Sequence, residues 1–324
     1  MAGAPAYRAR QVWDGLYTQL AIELNALTTL PKALREELAR TPELAPALDE
    51  AMRQEADRGT TVKWLFTLHD GNAIETVLMH YPGRTTVCVS SQAGCAMACG
   101  FCATGQAGFR RHLTAGEIVE QVVRAAREAK ATDRRLSNVV FMGMGEPLAN
   151  YDATWTAVER LHGDLGLSAR HITISTVGIV PGIHRLARES LPVGLAVSLH
   201  AANDRLRNEL VPVNKRYPLA SLIAACRGYI GNRNRRLSFE WACIAGVNDR
   251  ASDADELAEI AVPLGAHVNL IPLNPTPGYL VLGSTRTAVR QFADALQQRG
   301  VNATVRQTRG QSIDAACGQL ASRA

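Results

Sequence analysis

Residues 94–105 read GCAMACGFCATG, with Cys95, Cys99 and Cys102 in a C-x3-C-x2-C spacing. The residues just before them, TTVCVS (85–90), are β-branched and apolar, as a buried strand requires. The cysteines therefore occupy the loop at the carboxyl end of a strand. From that loop onward, strand and helix patterns alternate. Strands are expected at NVVFMG (138–143), HITIS (171–175), GLAVSLH (194–200), RLSFEWACI (236–244), HVNLIPL (267–273) and NATVRQT (302–308). Helices are expected between them, the first opening on TAGE (114–117), a capping-box pattern. Repeated β-α units give parallel strands joined by right-handed crossovers. The expected fold class is α/β, a barrel or partial barrel of about six units, (β/α)6.

Before the cysteines the pattern changes. TTVKWLFTL (60–68), AIETVLMH (73–80) and RTTVCVS (84–90) are split by HDGN and YPG, which predicts a short antiparallel meander. Residues 1 to about 50 read as short helices, with Pro31 well placed to open LPKALREELAR (30–40). The expected organisation is a small helical accessory domain over 1–55, a β meander over 56–90 and a core over 91–324.

The chemically distinctive residues converge on one end of the strands. The cysteine loop follows TTVCVS and GMGEP (143–147) follows NVVF. STVG (175–178), SLHAAND (198–204) and PLNP (272–275) follow three later strands. Barrels of β-α units build their active sites at these carboxyl ends. One site assembled from at least five loops is therefore expected.

Composition narrows the class. A chain of 324 residues with 47% hydrophobic content can bury a sizeable core. No apolar run reaches the roughly 18 residues of a membrane span, and the opening residues lack a secretory pattern. A cytoplasmic, monomeric protein is expected. An odd count of seven cysteines does not suggest a disulfide scaffold. The net charge of +5 permits a nucleic-acid partner without requiring one.

Two readings of the cysteine triplet compete. A structural zinc could take Cys95, Cys99, Cys102 and a histidine such as His112, giving a zinc-stabilised RNA-binding protein. Zinc sites, however, usually draw on two separated cysteine pairs. A 4Fe-4S cluster fits a compact triplet better, because three thiolates leave one iron open to a small molecule. Cys226 in IAACRGYI and Cys243 in WACI read as packing residues. The basic runs FRRH (109–112), NKRYP (214–218) and NRNRR (232–236) are either solvated faces or phosphate contacts, with Arg110 and Arg111 the better candidates for the mouth of the site.

The triplet, followed by GMGEP, resembles the radical S-adenosylmethionine (SAM) superfamily. CVSSQAGCAMACGFCATGQAGF (88–109), FMGMGEPLAN (141–150), LAVSLHAANDRLRNELVPVNKRYP (195–218), NLIPLNPTPG (269–278) and VRQTRGQSIDAACGQLA (305–321) together resemble the RlmN/Cfr family of RNA methyltransferases. RARQVWDGLY (8–17) extends the likeness over nearly the whole chain.

The resemblance implies a radical SAM partial barrel holding a 4Fe-4S cluster on Cys95, Cys99 and Cys102. SAM would bind against Gly145, Glu146, Ser175, Ser198, Leu199, His200 and Asn274. Two SAM molecules would serve each turnover: one to methylate Cys317, one to generate the radical that activates that methyl group. The resemblance makes Cys88 the resolving cysteine, which would form a disulfide as the protein–RNA crosslink breaks, and Glu75 the proton acceptor. The implied substrates are adenine 2503 of 23S rRNA and adenine 37 of tRNAs, methylated at C2, with C8 methylation as the alternative. A reducing electron donor such as a flavodoxin is implied as a partner.

Overall fold

The computed structural model describes residues 5–21, 23–231 and 235–321. The chain opens with helices α1 (Ala6–Tyr17) and α2 (Lys32–Ala39), which enclose a small apolar cluster of Val12, Leu24, Leu27, Leu30 and Leu38. Arg127 Nε and Lys130 Nζ, from a later helix, donate to the carbonyls of Leu20 (3.0 Å) and Gln19 (3.2 Å), fastening this segment to the body.

Four antiparallel strands follow: β1 (Leu48–Ala56), β2 (Thr61–Leu68), β3 (Ala73–Tyr81) and β4 (Arg84–Cys88). The last three match the expected meander. The first is a correction, because LDEAMRQEA lies inside the segment read as helical. Its residues are good helix formers, yet Leu48 pairs with Leu68 and the segment completes the sheet edge with most of its side chains in solvent. A mostly exposed edge strand leaves little apolar pattern to read.

The chain then makes a two-stranded ribbon, β5 (Gln92–Gly94) and β6 (Phe109–His112), around the short helix α3 (Ala103–Ala107). Next come α4 (Ala115–Ala131), β7 (Asn138–Phe141), α5 (Tyr151–Gly163), β8 (Ile172–Thr176), α6 (Val180–Arg188) and β9 (Gly194–Ser198). These are followed by α7 (Asp204–Leu210), α8 (Leu219–Ile230), β10 (Leu237–Cys243), α9 (Ala251–Ala261), β11 (His267–Pro272), α10 (Arg286–Gln298) and β12 (Ala303–Val305). The α4 capping box is present: Thr114 Oγ1 accepts from the Glu117 amide, and Glu117 Oε2 accepts from the Thr114 amide.

All ten main strands form one open sheet in the order β1-β2-β3-β4-β7-β8-β9-β10-β11-β12. From β4 onward every pairing is parallel. Strand β4 thus belongs to both halves, ending the meander and beginning the six β-α units, which β12 closes. One large core lies between the sheet and its helices, and it takes in Cys226 and Cys243, both fully buried. Among the described residues, no helix is long and apolar enough to cross a membrane.

Candidate active site

The loop after β4 is shaped by backbone contacts. The Cys95 amide donates to the Gly108 carbonyl (2.9 Å), the Cys102 amide to Cys99 (3.1 Å) and the Gln106 amide to Cys102 (3.0 Å). Gly105 of α3 packs so close beneath that a Cβ there would lie 2.9 Å from the Cys99 carbonyl oxygen. Cys95 and Cys99 are buried, Cys102 is half-buried, and all three line one cavity.

Among the described residues, no three His, Cys, Asp or Glu side chains are grouped as a single ion would require. His112, the candidate fourth zinc ligand, has its Nδ1 within 3.0 Å of Gln92 Nε2 instead. Three thiols ringing a cavity fit a multi-iron cluster. Burial pushes the Cys95 thiol up to about 12 and the Cys99 thiol up as well. A bound cluster would reverse this, since its iron ions stabilise thiolate.

The GMGEP loop forms the facing wall. Ser90 Oγ accepts from the Met144 amide (2.9 Å) and donates to the Glu75 carbonyl (2.6 Å). Gln92 Oε1 accepts from the Glu146 amide (2.8 Å). Gly145 has a φ of 101°, and a Cβ there would lie 2.5 Å from Gln92 Cβ, so only glycine lets the two loops touch. The Glu146 carboxylate accepts from the amides of Leu148 (3.0 Å) and Val177 (2.8 Å), while burial pushes its pKa up to about 7.

Ser175, Ser198, His200 and Asn274 all line the same cavity. His200 has a left-handed backbone (φ 59°), and its Nδ1 accepts from the Ala242 amide (2.9 Å), which assigns the proton to Nε2. Burial, with Arg207 close by, lowers its pKa to about 3, so the ring stays neutral. Leu199 is different. Its side chain is fully buried in the core, its amide donates to Glu240 and its carbonyl accepts from Arg207, so it stands behind the cavity wall.

The carboxyl-terminal segment closes the cavity. Cys317 lines it and is exposed toward it, with its carbonyl held by Asn274 Nδ2 (3.1 Å). Cys317 also lines an adjoining, smaller cavity together with Cys88, Met142 and Arg306. Burial pushes the Cys88 thiol up to about 12 and raises Cys317, and the Arg306 guanidinium opposes both shifts. The two thiols therefore share one space and one cation.

Glu75 lies apart from both cavities. Its Oε1 meets Lys63 Nζ at 2.9 Å and its Oε2 accepts from the Ala321 amide (2.7 Å). In this arrangement the carboxylate holds the end of the Cys317 segment. The structure thus gathers the cluster cysteines, Gly145, Glu146, Ser175, Ser198, His200, Asn274 and Cys317 at one cavity. It puts Cys88 next door and Glu75 behind the tail.

Sequence reasoning passed over Arg207. It is fully buried and donates to the carbonyls of Leu199 (3.1 Å), Val177 (2.7 Å) and Ser198 (3.2 Å) and to Asn214 Oδ1 (2.7 Å), tying the ends of β8 and β9 together. An arginine in a charged stretch such as DRLRNEL gives no sign of burial. Half-buried Arg306, just past β12, was also passed over, because nothing in VRQT marks it as facing two cysteines. Two basic candidates are corrected: Arg111 is committed to Glu117 (2.9 and 2.7 Å) and Asp70, and buried Arg235 donates to the carbonyls of Leu186 and Glu189. Residues 232–234 of the NRNRR run lie outside the described residues.

Residues 89–259 match the Radical SAM superfamily. The probable dual-specificity RNA methyltransferase RlmN of Chloroflexus aurantiacus is 52% identical, covering 99% of this chain and 88% of that protein. The corresponding protein of Frankia casuarinae is 53% identical, over 98% of this chain and 78% of its own length. A crystal structure of a radical SAM methyltransferase from Sphaerobacter thermophilus superposes with a TM-score of 0.96 at 53% identity, covering 99% of this chain and 94% of that one. With the cysteine loop, the strand-end cavity and these likenesses in agreement, the chain belongs to the RlmN family of radical SAM methyltransferases.

Proposed function

We propose that this protein methylates C2 of adenine in RNA, at adenine 2503 of 23S rRNA and adenine 37 of tRNAs, using Cys317 as a methyl carrier. The observation that carries the reading is the position of Cys317. It faces the same cavity as the three-cysteine loop and shares its other side with Cys88. Family membership supports RNA as the substrate.

Cys95, Cys99 and Cys102 would hold the 4Fe-4S cluster; Gly145, Glu146, Ser175, Ser198, His200 and Asn274 would surround SAM. When bound, the cluster and two successive SAM molecules supply a methyl group and a hydrogen-abstracting radical. Cys317 accepts the methyl group on sulfur and later presents it to the adenine ring. Arg306 favours the thiolate forms of Cys317 and Cys88, which methyl acceptance and disulfide formation respectively require. Cys88 would release the protein–RNA crosslink by bonding to Cys317 sulfur. Neutral His200 donates from Nε2 into the cavity without adding charge. For Glu75 to take the C2 proton, the tail must leave its carboxylate, because a base needs hydrogen-bond reach of the proton it removes.

The N-terminal helical segment would help hold the RNA, and an external reductant such as a flavodoxin would supply the electron to a monomeric, cytoplasmic enzyme. The test is nucleoside mass spectrometry on 23S rRNA and tRNA from cells lacking their own C2-methyltransferase, with and without this gene. New 2-methyladenosine is expected. New 8-methyladenosine would keep the residue roles and change the regiochemistry; no methyladenosine from soluble, iron-loaded protein would overturn the reading.

A further inference from the structure

The loop between β11 and α10 has a fixed base and a bare apolar tip. Its base is clamped by Gln106 of α3: Gln106 Nε2 donates to the Gly100 carbonyl (2.6 Å) and Thr276 Oγ1 (3.0 Å), and Gln106 Oε1 accepts from the Gly278 amide (3.1 Å). On the far side, the Ala245 amide donates to the Leu282 carbonyl (3.0 Å) and Gly283 bridges to Ile244. Tyr279 then packs edge-on to Phe101, which packs edge-on to His200 in the cavity. The backbone is held at both ends, yet Leu280 is 93% exposed and Leu282 77% exposed, with Val281 between them at 41%. Adjacent exposed leucines of this kind mark an interaction surface.

Three features say what covers it. The loop grows directly from Ile271, Leu273 and Asn274, which line the cavity, so the tip stands at the cavity mouth. Asp314 lies beside Pro275, Thr276 and Pro277 at the base of the loop, but the exposed charges placed toward its tip are basic. Val213, from the turn bearing exposed Lys215 and Arg216, packs in the same small apolar cluster as Tyr279. Exposed Arg110 stands on β6 beside Phe109, three residues beyond Gln106. None of these three cations is in an ion pair among the described residues. The nearby acid Asp249 is turned onto Ser284 Oγ (2.7 Å). An apolar tip flanked by unpaired cations suits a stack of bases bordered by phosphates.

We propose that the Leu280–Leu282 tip enters the RNA stack beside the target adenine and fills the gap left when that base is drawn into the cavity. This rests on the functional reading above and adds the element that extracts the base. An adenine within a stack cannot reach a buried reaction centre without leaving it, and inserted aliphatic side chains offset the cost of unstacking.

The test compares the cofactor-loaded protein with its Leu280→Ser/Leu282→Ser variant on two RNAs: a stem-loop whose target adenine is stacked, and an unstructured RNA of the same length. A second copy of each RNA carries 2-aminopurine at the target position, whose fluorescence rises on unstacking. Methyl uptake by Cys317 without RNA checks that the variant is folded. The variant is expected to bind the stem-loop but to lose the fluorescence rise, and to methylate the stem-loop about tenfold more slowly while the unstructured RNA reacts at close to the wild-type rate. Equal loss on both RNAs, or no loss on either, would overturn the wedge. So would a wild-type dimer that the substitutions split while RNA methylation stays unchanged, because the tip would then be a self-association surface. If the wild-type protein methylates neither RNA, the functional reading fails and the wedge fails with it.

Discussion

Cys99 and Cys317 face one cavity but are held there in different ways. The Cys99 loop lies between a β ribbon and a short helix, fixed by its own backbone hydrogen bonds and by the close approach of Gly105. Cys317 sits in a segment with no strand, after a single 3-10 turn. That segment is held by separate bonds to other elements: Ala103 amide to Gly318 carbonyl (2.8 Å), Thr104 Oγ1 to Leu320 carbonyl (2.6 Å), Asn274 to Cys317, Gln319 to Pro275 carbonyl (3.2 Å) and Ala321 amide to Glu75. A ribbon whose bonds form together resists local opening, whereas separate bonds to several different elements can open one at a time. The difference suits the two proposed roles: a loop holding a cluster should stay fixed, and a cysteine that would meet two SAM molecules and then Cys88 should move.

The sharpest way to break this contrast is a pair of cysteine variants. Cys99→Ala should lose bound iron and all activity. Cys317→Ala should keep iron and SAM cleavage and lose RNA methylation. Iron and sulfide assays with a 5′-deoxyadenosine assay separate the two, and iron loss in both variants would erase the distinction. Arg207→Met comes next. It removes the side-chain donor from four acceptors, two buried and two partly buried, which costs about 3 kcal/mol, and it should also weaken SAM binding by loosening the ends of β8 and β9. Denaturant unfolding of the apoprotein reads the first effect and calorimetry of SAM binding the second.

Smaller effects sharpen the picture of the tail. Asn274→Ala removes one bond to the Cys317 carbonyl, worth about 1 kcal/mol. It should speed alkylation of Cys317 roughly fivefold while leaving Cys88 alkylation unchanged. A similar rise at Cys88 would mean that the core, and not the tail, had loosened.

The smallest effect concerns the cluster side. Burial works against ionised Glu117, but Arg111 and the Thr114 amide outweigh it and hold the carboxyl below its ordinary value. A carboxyl with a depressed folded pKa contributes stability above its unfolded pKa of about 4.3, and that contribution disappears as pH falls through the folded value. Glu117→Gln should therefore cost about 1 kcal/mol at pH 7, and the gap from wild type should shrink in acid. Urea midpoints across pH measure it.

Much of the barrel was legible because its strands are apolar runs and helices such as α4 and α10 open on threonine caps. The predicted strand NVVFMG and the observed β7 share their start at Asn138, and the helix expected to open on TAGE is α4, capped by Thr114. The strand-end placement of the cysteines, GMGEP, Ser175, Ser198, His200 and Asn274 followed from that alternation alone. Strand β1 was not legible, because LDEAMRQEA buries only its two ends. The ribbon β5–β6 was not legible either, since QAG and FRRH carry no strand period. Long-range polar work also leaves no local trace. Nothing near Glu75 announces that it caps the tail through Ala321, and nothing near Arg207 announces its four bonds to the ends of β8 and β9 and to Asn214.

The central claim is that Cys317, alone among the seven cysteines, carries the methyl group beside the cluster. Peptide mapping by mass spectrometry after anaerobic incubation with SAM tests it most directly. A single methyl on the peptide containing Cys317, absent in Cys99→Ala, is the predicted result. Methylation at Cys88, Cys226 or Cys243, or none on iron-loaded protein, would contradict it.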